Sequence, residues 1–304
     1  MQTTSKNKNT GFSNGENPIR LGDRYVCTDC LKIHEQVESW LAQDDVSGEK
    51  VFVKLAHPGE VGLSNRLRIA HESRILNELR ASSLAKLLHF GETEELVYLV
   101  TEYVPGEDLE QLLSHGPLDQ NTTVSIAVRL LEALEEIHQQ NILHRDIKPS
   151  NIKVPSPDRA TLVDFGLSRS PNVQLRESGP IPGSLLYMAP EQLGLLSREI
   201  SPATDLYSLG VVLYECLAGR PPFFSESLSE LLRKHLTQAP PKLSLYRPDV
   251  SERFERFIQR LLKKEPQERF VTARSALTEL EAIRDRIGGE SQLETELASD
   301  AGPQ

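Results

Sequence analysis

The residues from Asp146 to Asn151 place a carboxylate, an ammonium group and a carboxamide within six positions of one another. These groups belong to Asp146, Lys148 and Asn151, and a second carboxylate, Asp164, lies thirteen positions after Asn151 at the end of a short apolar run. Phosphoryl transfer needs this set of groups: a carboxylate orients the attacking hydroxyl, a cation neutralises the transferred phosphate, and oxygen ligands hold Mg²⁺. A polar turn between two strands would not require these residue types at these positions. The spacing therefore indicates a phosphoryl-transfer site.

The two segments that contain these groups resemble two motifs of protein kinases. Residues 142–151, Ile-Leu-His-Arg-Asp-Ile-Lys-Pro-Ser-Asn, resemble the catalytic loop of that family, and residues 164–166 resemble its Asp-Phe-Gly motif. Either motif alone could arise by chance. Both together, in this order and at this separation, favour a protein kinase.

The resemblance implies a role for each of the four groups. Asp146 would accept or orient the proton of the substrate hydroxyl, and Lys148 would bind the γ-phosphate of ATP. Asn151 and Asp164 would ligate Mg²⁺. Lys148 stands two positions after Asp146, which is similar to the serine/threonine-specific branch of the family. The expected activity is therefore transfer of the ATP γ-phosphate to serine or threonine hydroxyls of proteins, in signal transduction and with autophosphorylation.

Three neighbouring residues resemble structural or regulatory positions of the family. His144 and Phe165 resemble parts of its internal apolar spine, so we expect His144 to be a packed structural residue and not a base. Arg145 resembles the arginine that pairs with a phosphorylated residue of the activation segment. That segment contains no threonine before residue 191, so the expected acceptors are serines. Its position within the segment favours Ser178 as the acceptor, and the alternatives are Ser168, Ser170 and Ser184.

Residues 51–54, Val-Phe-Val-Lys, resemble the kinase strand whose lysine contacts the α- and β-phosphates of ATP. Lys54 would also pair with an acidic residue on the following helix. Glu72, eighteen positions later, fits this role, and Glu78 is the alternative partner. A lysine on a strand is usually just solvated, but the joint spacing favours a Lys54–Glu72 pair.

Residues 101–104, Thr-Glu-Tyr-Val, resemble the gatekeeper and hinge of the family. The main chain of Glu102 and Val104 would there meet the adenine ring, so the side chains carry little of the function. Asp108 either approaches the ribose or caps the helix that follows it, and the sequence favours neither role.

Residues 183–191, Gly-Ser-Leu-Leu-Tyr-Met-Ala-Pro-Glu, resemble the end of the activation segment. Ser184 occupies the position where the family has a serine or threonine near the catalytic aspartate. Glu191 would form a buried ion pair with Arg269, and Asp205 would hold the backbone of the catalytic loop. Glu191, Arg269 and Asp205 are therefore evidence for the kinase fold more than for catalytic activity.

The glycine-rich loop that covers the ATP phosphates in the family is degenerate in this sequence. The corresponding residues 32–39, Lys-Ile-His-Glu-Gln-Val-Glu-Ser, contain none of its three glycines. Phe52 replaces the small alanine that lies above the purine, and Glu35 and Glu38 would bring negative charge near the phosphates. The chain is then either an active kinase that binds nucleotide mainly through Lys54, Mg²⁺ and the hinge, or a pseudokinase that signals by shape. Retention of the catalytic groups favours activity.

The predicted order of strands followed by helices resembles the protein-kinase fold, which implies an α+β, bilobal architecture with a strand-rich N-lobe and a helical C-lobe. In the N-lobe, the patterns predict a helix over 65–79 and strands over 37–41, 51–55, 84–90 and 96–103. In the C-lobe they predict helices over 122–139, 204–218, 228–236, 252–262 and 272–287. Gly288-Gly289 would end the last helix.

The same patterns suggest four parts of the chain. We expect a disordered N-terminal segment over 1–20, an N-lobe over 21–103, a C-lobe over 104–287 and a disordered acidic tail over 288–304. The start, residues 1–18, is polar without an apolar core, which does not resemble a signal peptide.

The composition narrows the class of protein. A net charge of −10 argues against nucleic-acid binding, and no apolar stretch approaches the roughly 20 residues of a membrane span. Three cysteines indicate a reducing compartment, so the expected location is the cytoplasm. Cys27 and Cys30 form a lone C-x-x-C pair, which we interpret as two strand residues and not as a zinc or redox site.

Residues 183–210 resemble bacterial serine/threonine kinases, in particular the kinase domains that begin large multidomain signalling proteins. The chain would then be a free-standing relative or the front part of a larger protein or complex, with ATP and an unknown protein substrate as partners. A kinase-fold phosphotransferase acting on a small molecule is a third interpretation. It fits less well, because that group generally lacks counterparts of the Met-Ala-Pro-Glu segment, Asp205 and Arg269.

Overall fold

The computed structural model describes residues 19–34, 37–56, 62–93, 96–156, 158–165, 183–194 and 199–300. The chain divides into two compact units. The first comprises Met1–Asn77 and Lys86–Tyr103, and the second comprises Glu78–Ala85 and Val104–Gln304. The second unit includes Glu78–Ala85 because this short segment is bonded to it: the backbone N–H of Leu162 donates to the carbonyl of Ser83 (2.9 Å), and Leu84 pairs with Leu162 in a parallel bridge.

The first unit is an antiparallel sheet of six strands with one helix. The strands, in the spatial order β1-β2-β3-β4-β6-β5, are β1 Arg20–Leu21, β2 Tyr25–His34, β3 Val37–Asp44, β4 Lys50–Ala56, β5 Leu87–Glu92 and β6 Val97–Glu102. The helix α1 spans Gly62–Glu78. All four predicted strands and the predicted helix are present with shifted ends. The fifth strand starts at Leu87 and not at Leu84, because Leu84 pairs outside this sheet.

One face of this sheet is the apolar core of the first unit. Trp40 on β3, together with Val53 and Leu55 on β4, belongs to this buried cluster. Since side chains alternate between faces along a strand, Phe52 and Lys54 lie on the opposite face of β4. The face that carries Lys54 is therefore set by the pattern of buried residues on either side of it.

The two cysteines of the C-x-x-C pair lie on β2, as the sequence predicts. Cys27 is buried and Cys30 is exposed. Burial, aided by the nearby charge of Glu38, raises the pKa of the Cys27 thiol to about 12. A thiol that holds its proton is a poor nucleophile and a poor metal ligand. Among the described residues, no cluster of three or more histidine, cysteine or acidic side chains could hold a metal ion.

The second unit is mainly helical. Its helices are α2 Leu109–Ser114, α3 Gln120–Gln139, α4 Pro202–Ala218, α5 Leu228–Thr237, α6 Glu252–Leu261 and α7 Ala273–Asp300. A two-stranded sheet pairs β7 Ile152–Lys153 with β8 Thr161–Leu162. None of the helices within the described ranges is long and apolar enough to cross a membrane.

Helix α4 forms the centre of the second unit. Fourteen of its 17 residues are buried, as its nearly continuous apolar sequence predicts, so neighbouring elements pack on every side of it. Gly210 lies so close to α6 that an added Cβ would come within 2.7 Å of the Leu261 side chain. Gly219, with φ of 70°, ends the helix in the left-handed conformation that favours glycine. The first turn of this rigid helix carries Asp205.

The prediction that Gly288-Gly289 ends the last helix was wrong. Helix α7 continues through both glycines to Asp300. Each glycine costs a helix about 1 kcal/mol relative to alanine, and the residues that follow, Glu-Ser-Gln-Leu-Glu-Thr-Glu-Leu-Ala, are mostly good helix formers. The helix propensity of the following residues therefore favours continuation despite the two glycines.

Candidate active site

The carboxylate of Asp205 holds the backbone of residues 144 and 145. It accepts hydrogen bonds from the backbone N–H groups of His144 (2.9 Å) and Arg145 (2.8 Å), and Nε2 of His138 lies 2.8 Å from its Oδ2. Burial alone would raise the pKa of Asp205, but the bonds from His138 and the Arg145 backbone bring it below its ordinary value. The ionised carboxylate of Asp205 therefore holds the backbone of this loop, which is the role that the sequence predicted for Asp205.

The loop itself takes an unusual backbone conformation at Arg145. This residue has φ of 63°, in the left-handed region that non-glycine residues rarely adopt. Its N–H is bonded to Asp205, and its carbonyl accepts a hydrogen bond from Nε2 of Gln192 (2.9 Å). Hydrogen bonds at both the N–H and the carbonyl of Arg145 therefore hold this turn, and they compensate for the conformational strain of its backbone.

Asp146, Lys148 and Asn151 are joined by hydrogen bonds. Nζ of Lys148 lies 2.6 Å from Oδ2 of Asp146, and Nδ2 of Asn151 donates to the same oxygen (2.9 Å) and to the Asp146 carbonyl (2.9 Å). Both side-chain donors contact Oδ2, and Oδ1 forms no hydrogen bond within the described part of the chain. The carboxylate is thus fixed in orientation with one oxygen left to accept a proton.

Ser184 joins this group from a distant part of the sequence. Nζ of Lys148 donates to Oγ of Ser184 (3.0 Å), so a single ammonium group contacts both Ser184 and Asp146. Ser184 lies on a short 3-10 turn, Gly183–Leu186. The structure thus places Ser184 near Asp146, as the sequence predicted. Ser178 lies outside the described residues.

The β7–β8 hairpin positions Asp164 beside Asn151. Ile152 pairs with Leu162, and the N–H of Val163 donates to the Asn151 carbonyl (2.9 Å), so the two segments run side by side up to the predicted magnesium ligands. Asp164 has φ of 69°, another left-handed backbone, which turns the chain sharply after the hairpin.

His144 and Phe165 pack against each other beneath this turn. Their ring centroids lie 4.8 Å apart in an edge-to-face arrangement, and both residues are buried. Burial lowers the pKa of His144, which keeps the ring neutral. A neutral, fully buried ring fits the packed structural role that the sequence predicted and not that of a base.

The oxygen groups of Asn151 and Asp164 fit a magnesium ion chemically. Both hydrogen bonds from Nδ2 of Asn151 go to oxygens of Asp146, so the amide oxygen of Asn151 points away from Asp146 and can coordinate a cation. Carboxylate and amide oxygens are the ligands that Mg²⁺ prefers, usually one or two from the protein with water and phosphate completing the shell.

In the first unit, Lys54 forms an ion pair with Glu72. Nζ lies 2.7 Å from Oε1 and 3.1 Å from Oε2, and the two side chains are 9% and 4% exposed. The pair joins β4 to α1, as the sequence predicted, whereas the alternative partner Glu78 is exposed. Because both charges are largely removed from water, loss of either one would remove a buried charge-assisted contact from the other.

The expectation that Glu38 brings negative charge near the phosphates was wrong. Glu38 pairs across the sheet with Leu55 of the apolar core, is only 4% exposed and accepts a hydrogen bond from Nε1 of Trp40 (2.8 Å). Lys54 pairs with Ser39, one residue along, and so projects from the opposite face. Glu35 lies outside the described residues.

Phe52 lies on the same face of the sheet as Lys54, as the sequence predicted for the position where other kinases have alanine. It pairs across the sheet with Leu41 on one side and with Thr101 on the other, and it is only partly buried. Thr101, the expected gatekeeper, is 7% exposed.

The predicted hinge residues lie where the first unit ends. Glu102 is the last residue of β6, and its backbone N–H and side chain are both bonded to the backbone of Lys86. Val104 is partly exposed. Asp108 is the N-cap of α2 in a capping box with Gln111, which assigns it the capping role that the sequence left open.

Glu191 and Arg269 form the predicted buried ion pair. Two parallel bonds of 2.6 and 2.9 Å join them, and both side chains are fully buried. Arg269 also donates to the carbonyls of Lys263 (2.7 Å), Ala203 (2.8 Å) and Lys264 (3.0 Å). Every N–H direction of the guanidinium fork is thus used, which is the condition for burying such a charge.

Comparison with known proteins agrees with this geometry. The protein kinase domain matches residues 38–280, which is most of the chain. The chain belongs to the protein kinase family. Its kinase fold comprises the strand-rich first unit and the helical second unit described above.

Similar curated proteins are bacterial kinases. The chain is 34% identical over 223 residues to the serine/threonine-protein kinase PknH of Mycobacterium bovis, covering 72% of the chain and 37% of that protein. It is 34% identical over 229 residues to pkn3 of Myxococcus xanthus, covering 71% and 42% respectively. For PknE of Mycobacterium tuberculosis the identity is 33% over 254 residues, covering 83% and 42%. The match therefore spans less than half the length of each of these relatives.

Two residues of the candidate active site were not identified from the sequence. His138 contacts Asp205 from the end of α3, and Gln192 contacts the carbonyl of Arg145. Gln192 directly follows Glu191, so its place in that motif was a usable signal. His138 offered none, because a histidine in the last turn of a helix also suits the helix dipole.

Proposed function

We propose that this chain is a Mg²⁺- and ATP-dependent serine/threonine protein kinase. The observation that carries the proposal is the bonded group of Asp146, Lys148 and Asn151, whose spare carboxylate oxygen and neighbouring ammonium suit a hydroxyl nucleophile and a phosphate. The names of the bacterial relatives support it. The same proposal includes an unidentified protein substrate and further domains in a longer signalling protein.

In this mechanism Oδ1 of Asp146 accepts the proton of a serine or threonine hydroxyl as the hydroxyl oxygen attacks the γ-phosphorus. The bond between the γ-phosphorus and the oxygen bridging it to the β-phosphate breaks, and ADP leaves with that oxygen. Lys148 neutralises the charge on the transferred phosphoryl group while it orients Oδ2. Asn151 and Asp164 would hold magnesium, which supplies further charge neutralisation when bound. The burial of Asp146, at 8% exposure, limits competition from water.

The same proposal assigns Lys54 to the α- and β-phosphates, with Glu72 holding its ammonium in place. The main chain of Glu102 and Val104 would bind the adenine. ATP and free thiols are both typical of the cytoplasm, which is the proposed location.

Regulation by phosphorylation is part of the proposal. Nε of Arg145 is buried and makes no hydrogen bond among the described residues, so it could pair with a phosphate. The proposed source of that phosphate is Ser178, through autophosphorylation.

Incubation with γ-labelled ATP and Mg²⁺ tests the function directly. We expect label on the protein itself and on dephosphorylated casein, and acid hydrolysis should release phosphoserine and phosphothreonine but no phosphotyrosine. Absence of label from both proteins would contradict the proposal.

The ion pair of Lys54 predicts a large effect for Glu72→Gln. This change removes the negative charge but keeps the shape of the side chain, so the buried ammonium loses a charge-assisted hydrogen bond. We expect kcat/KM for ATP to fall by about 10- to 100-fold, from a loss of about 1.5–3 kcal/mol. Glu78→Gln, on the same helix but exposed, is the matched control and should change kcat/KM less than about twofold. Equal losses in both variants would show that the pair has no special role.

The alternative of a nucleotide-poor pseudokinase depends on Phe52. If its ring occupies part of the adenine space, Phe52→Ala should tighten ATP binding by about fivefold, or about 1 kcal/mol, and enlarge the rise in melting temperature with Mg²⁺ and ATP. Phe224→Ala, at an exposed phenylalanine of the second unit, is the control. If neither the wild type nor Phe52→Ala shows any ATP-dependent rise, the pseudokinase interpretation replaces the kinase.

A further inference from the structure

The side-chain amide of Gln192 joins two segments of the second unit with its two polar atoms. Its Nε2 donates to the carbonyl of Arg145 (2.9 Å), and its Oε1 accepts from the backbone N–H of Ala189 (3.0 Å). Gln192 and Arg145 are 47 positions apart in the chain, and the side chain of Gln192 is partly buried. One amide therefore connects the loop that contains Asp146 to the segment around Ala189.

The turn that carries Gln192 is itself firmly held. Gln192 lies on the 3-10 turn Pro190–Leu193, directly after Glu191. Oε1 of Glu191 accepts hydrogen bonds from Arg269 (2.6 Å) and from Oγ1 of Thr204 on α4 (2.9 Å). Because the ion pair is fully buried, the position of this turn is fixed against α4. The amide of Gln192 is thus presented to the loop from a rigid part of the second unit.

The peptide group between Arg145 and Asp146 is bonded at both of its ends. Its carbonyl accepts from Gln192, and its N–H lies 3.3 Å from Nδ1 of His144. The preceding N–H, that of Arg145, donates to Asp205 (2.8 Å). A left-handed backbone such as that of Arg145, with φ of 63°, persists only where its surroundings fix it. The orientation of this peptide group sets the direction in which the Asp146 side chain leaves the loop.

We propose that Gln192 is a positioning residue for Asp146: its amide holds the Arg145–Asp146 peptide group in the orientation that directs the Asp146 carboxylate to the acceptor hydroxyl. Gln192 touches neither nucleotide nor acceptor in this arrangement, so it affects the rate of transfer and not the binding of either substrate. The kinetic part of this inference rests on the proposed kinase function, whereas the link between Gln192 and the loop does not.

Two variants separate the hydrogen bond to Arg145 from the packing of the side chain. In Gln192→Glu, the new carboxylate keeps the shape and can accept from Ala189, but it has no hydrogen to donate to the Arg145 carbonyl. Protonation of that carboxyl group restores a donor, and a carboxyl group next to an acceptor oxygen in a partly buried site binds its proton at a higher pH than in water. Gln192→Met has a similar size and no donor at any pH.

Gln111→Glu is the matched control. Oε1 of Gln111 accepts from the N–H of Asp108, three positions earlier (3.0 Å), just as Oε1 of Gln192 accepts from Ala189. Gln111 is exposed, and its Nε2 forms no hydrogen bond to any other residue that the structure describes. The control therefore shares the local bond and lacks the bond to a distant segment.

Rates of transfer to dephosphorylated casein between pH 5.5 and pH 8 test the kinetic part. At pH 8 we expect the kcat of Gln192→Glu to be about 10- to 100-fold below that of the wild type, the usual effect of a displaced catalytic group. The ratio of the wild-type kcat to that of the variant should shrink to about threefold at pH 5.5. For Gln192→Met it should stay near tenfold at every pH, the effect of one lost hydrogen bond.

The Michaelis constants for ATP and casein should stay within about twofold in both variants, and Gln111→Glu should resemble the wild type throughout. A residue with only a structural role would give a loss in Gln192→Glu that does not depend on pH. That result would overturn the proposal, and so would a raised Michaelis constant with an unchanged kcat.

Amide hydrogen exchange provides a readout that needs no activity. In Gln192→Met, the amides of residues 144–147 should exchange about tenfold faster than in the wild type, while those of α3 remain unchanged and Gln111→Glu shows no increase. If the wild type transfers no phosphate to casein, the proposed function fails, but this comparison still decides whether Gln192 holds the loop. Unchanged exchange at residues 144–147 in Gln192→Met would refute the link itself.

Discussion

Replacing Asp146 with asparagine is expected to reduce phosphoryl transfer by about 10²- to 10⁴-fold, the usual contribution of a positioned general base. Asparagine has nearly the same shape as aspartate, so the loop should keep its fold. Its amide cannot accept the proton of a hydroxyl, and it removes the negative charge that now lies 2.6 Å from Nζ of Lys148. The initial rate of label transfer from γ-labelled ATP to casein measures the effect.

The control for this prediction is Asp285→Asn. Within the described part of the chain, Asp285 makes a long 3.9 Å contact with Arg284, and its side chain is 76% exposed, so the same chemical change there should leave the rate unaltered. The rise in melting temperature with Mg²⁺ and ATP should persist in Asp146→Asn, since the residues proposed to hold the nucleotide remain. Equal labelling by Asp146→Asn and the wild type would mean that the transfer comes from a contaminating kinase or that Asp146 has no catalytic part.

The largest loss of stability is expected from Arg269→Met. Arg269 and Glu191 are both fully buried, so removing the cation leaves the carboxylate of Glu191 without its partner in a site that water does not reach. Breaking such a pair typically costs about 3–5 kcal/mol of folding free energy. The three backbone carbonyls that Arg269 now satisfies would add to the cost.

Thermal unfolding checks this prediction, and we expect the melting temperature of Arg269→Met to fall by about 10 °C. The double variant Glu191→Gln/Arg269→Met removes both charges and should recover part of the loss, because no charge then remains buried without its partner. Arg256→Met, which breaks the exposed pair with Glu252, should change stability by less than about 1 kcal/mol. A loss in Arg269→Met no larger than in Arg256→Met would contradict this account of the buried pair.

Most of the candidate active site could be predicted because its groups lie close together in the sequence. Asp146, Lys148 and Asn151 belong to one short loop, so any fold that forms the loop brings them together. The Lys54–Glu72 pair was also predictable, because a strand and the helix that follows it are joined by few residues. The spacing could not show the hydrogen bond from Lys148 to Ser184, which links residues 36 positions apart.

The errors arose where a side chain's surroundings depend on distant residues. Glu38 was expected near phosphate, but the register of β3 against β4 turns it into the apolar core with Trp40. A change of one residue in that register would reverse the two faces, and the sequence of β3 alone does not specify it. The end of α7 was misplaced because a local helix-breaking signal was weighed without the helix formers beyond it.

The chemical groups of the site, the order of strands and helices, and the resemblance to protein kinases were all readable from the sequence, because these depend on residue type and short-range spacing. The bond from Lys148 to Ser184 and the support of the loop by His138 and Gln192 emerged only from the folded structure. Each of these depends on hydrogen bonds between residues far apart in the chain. Such bonds have direction and exist only after packing has brought both partners together.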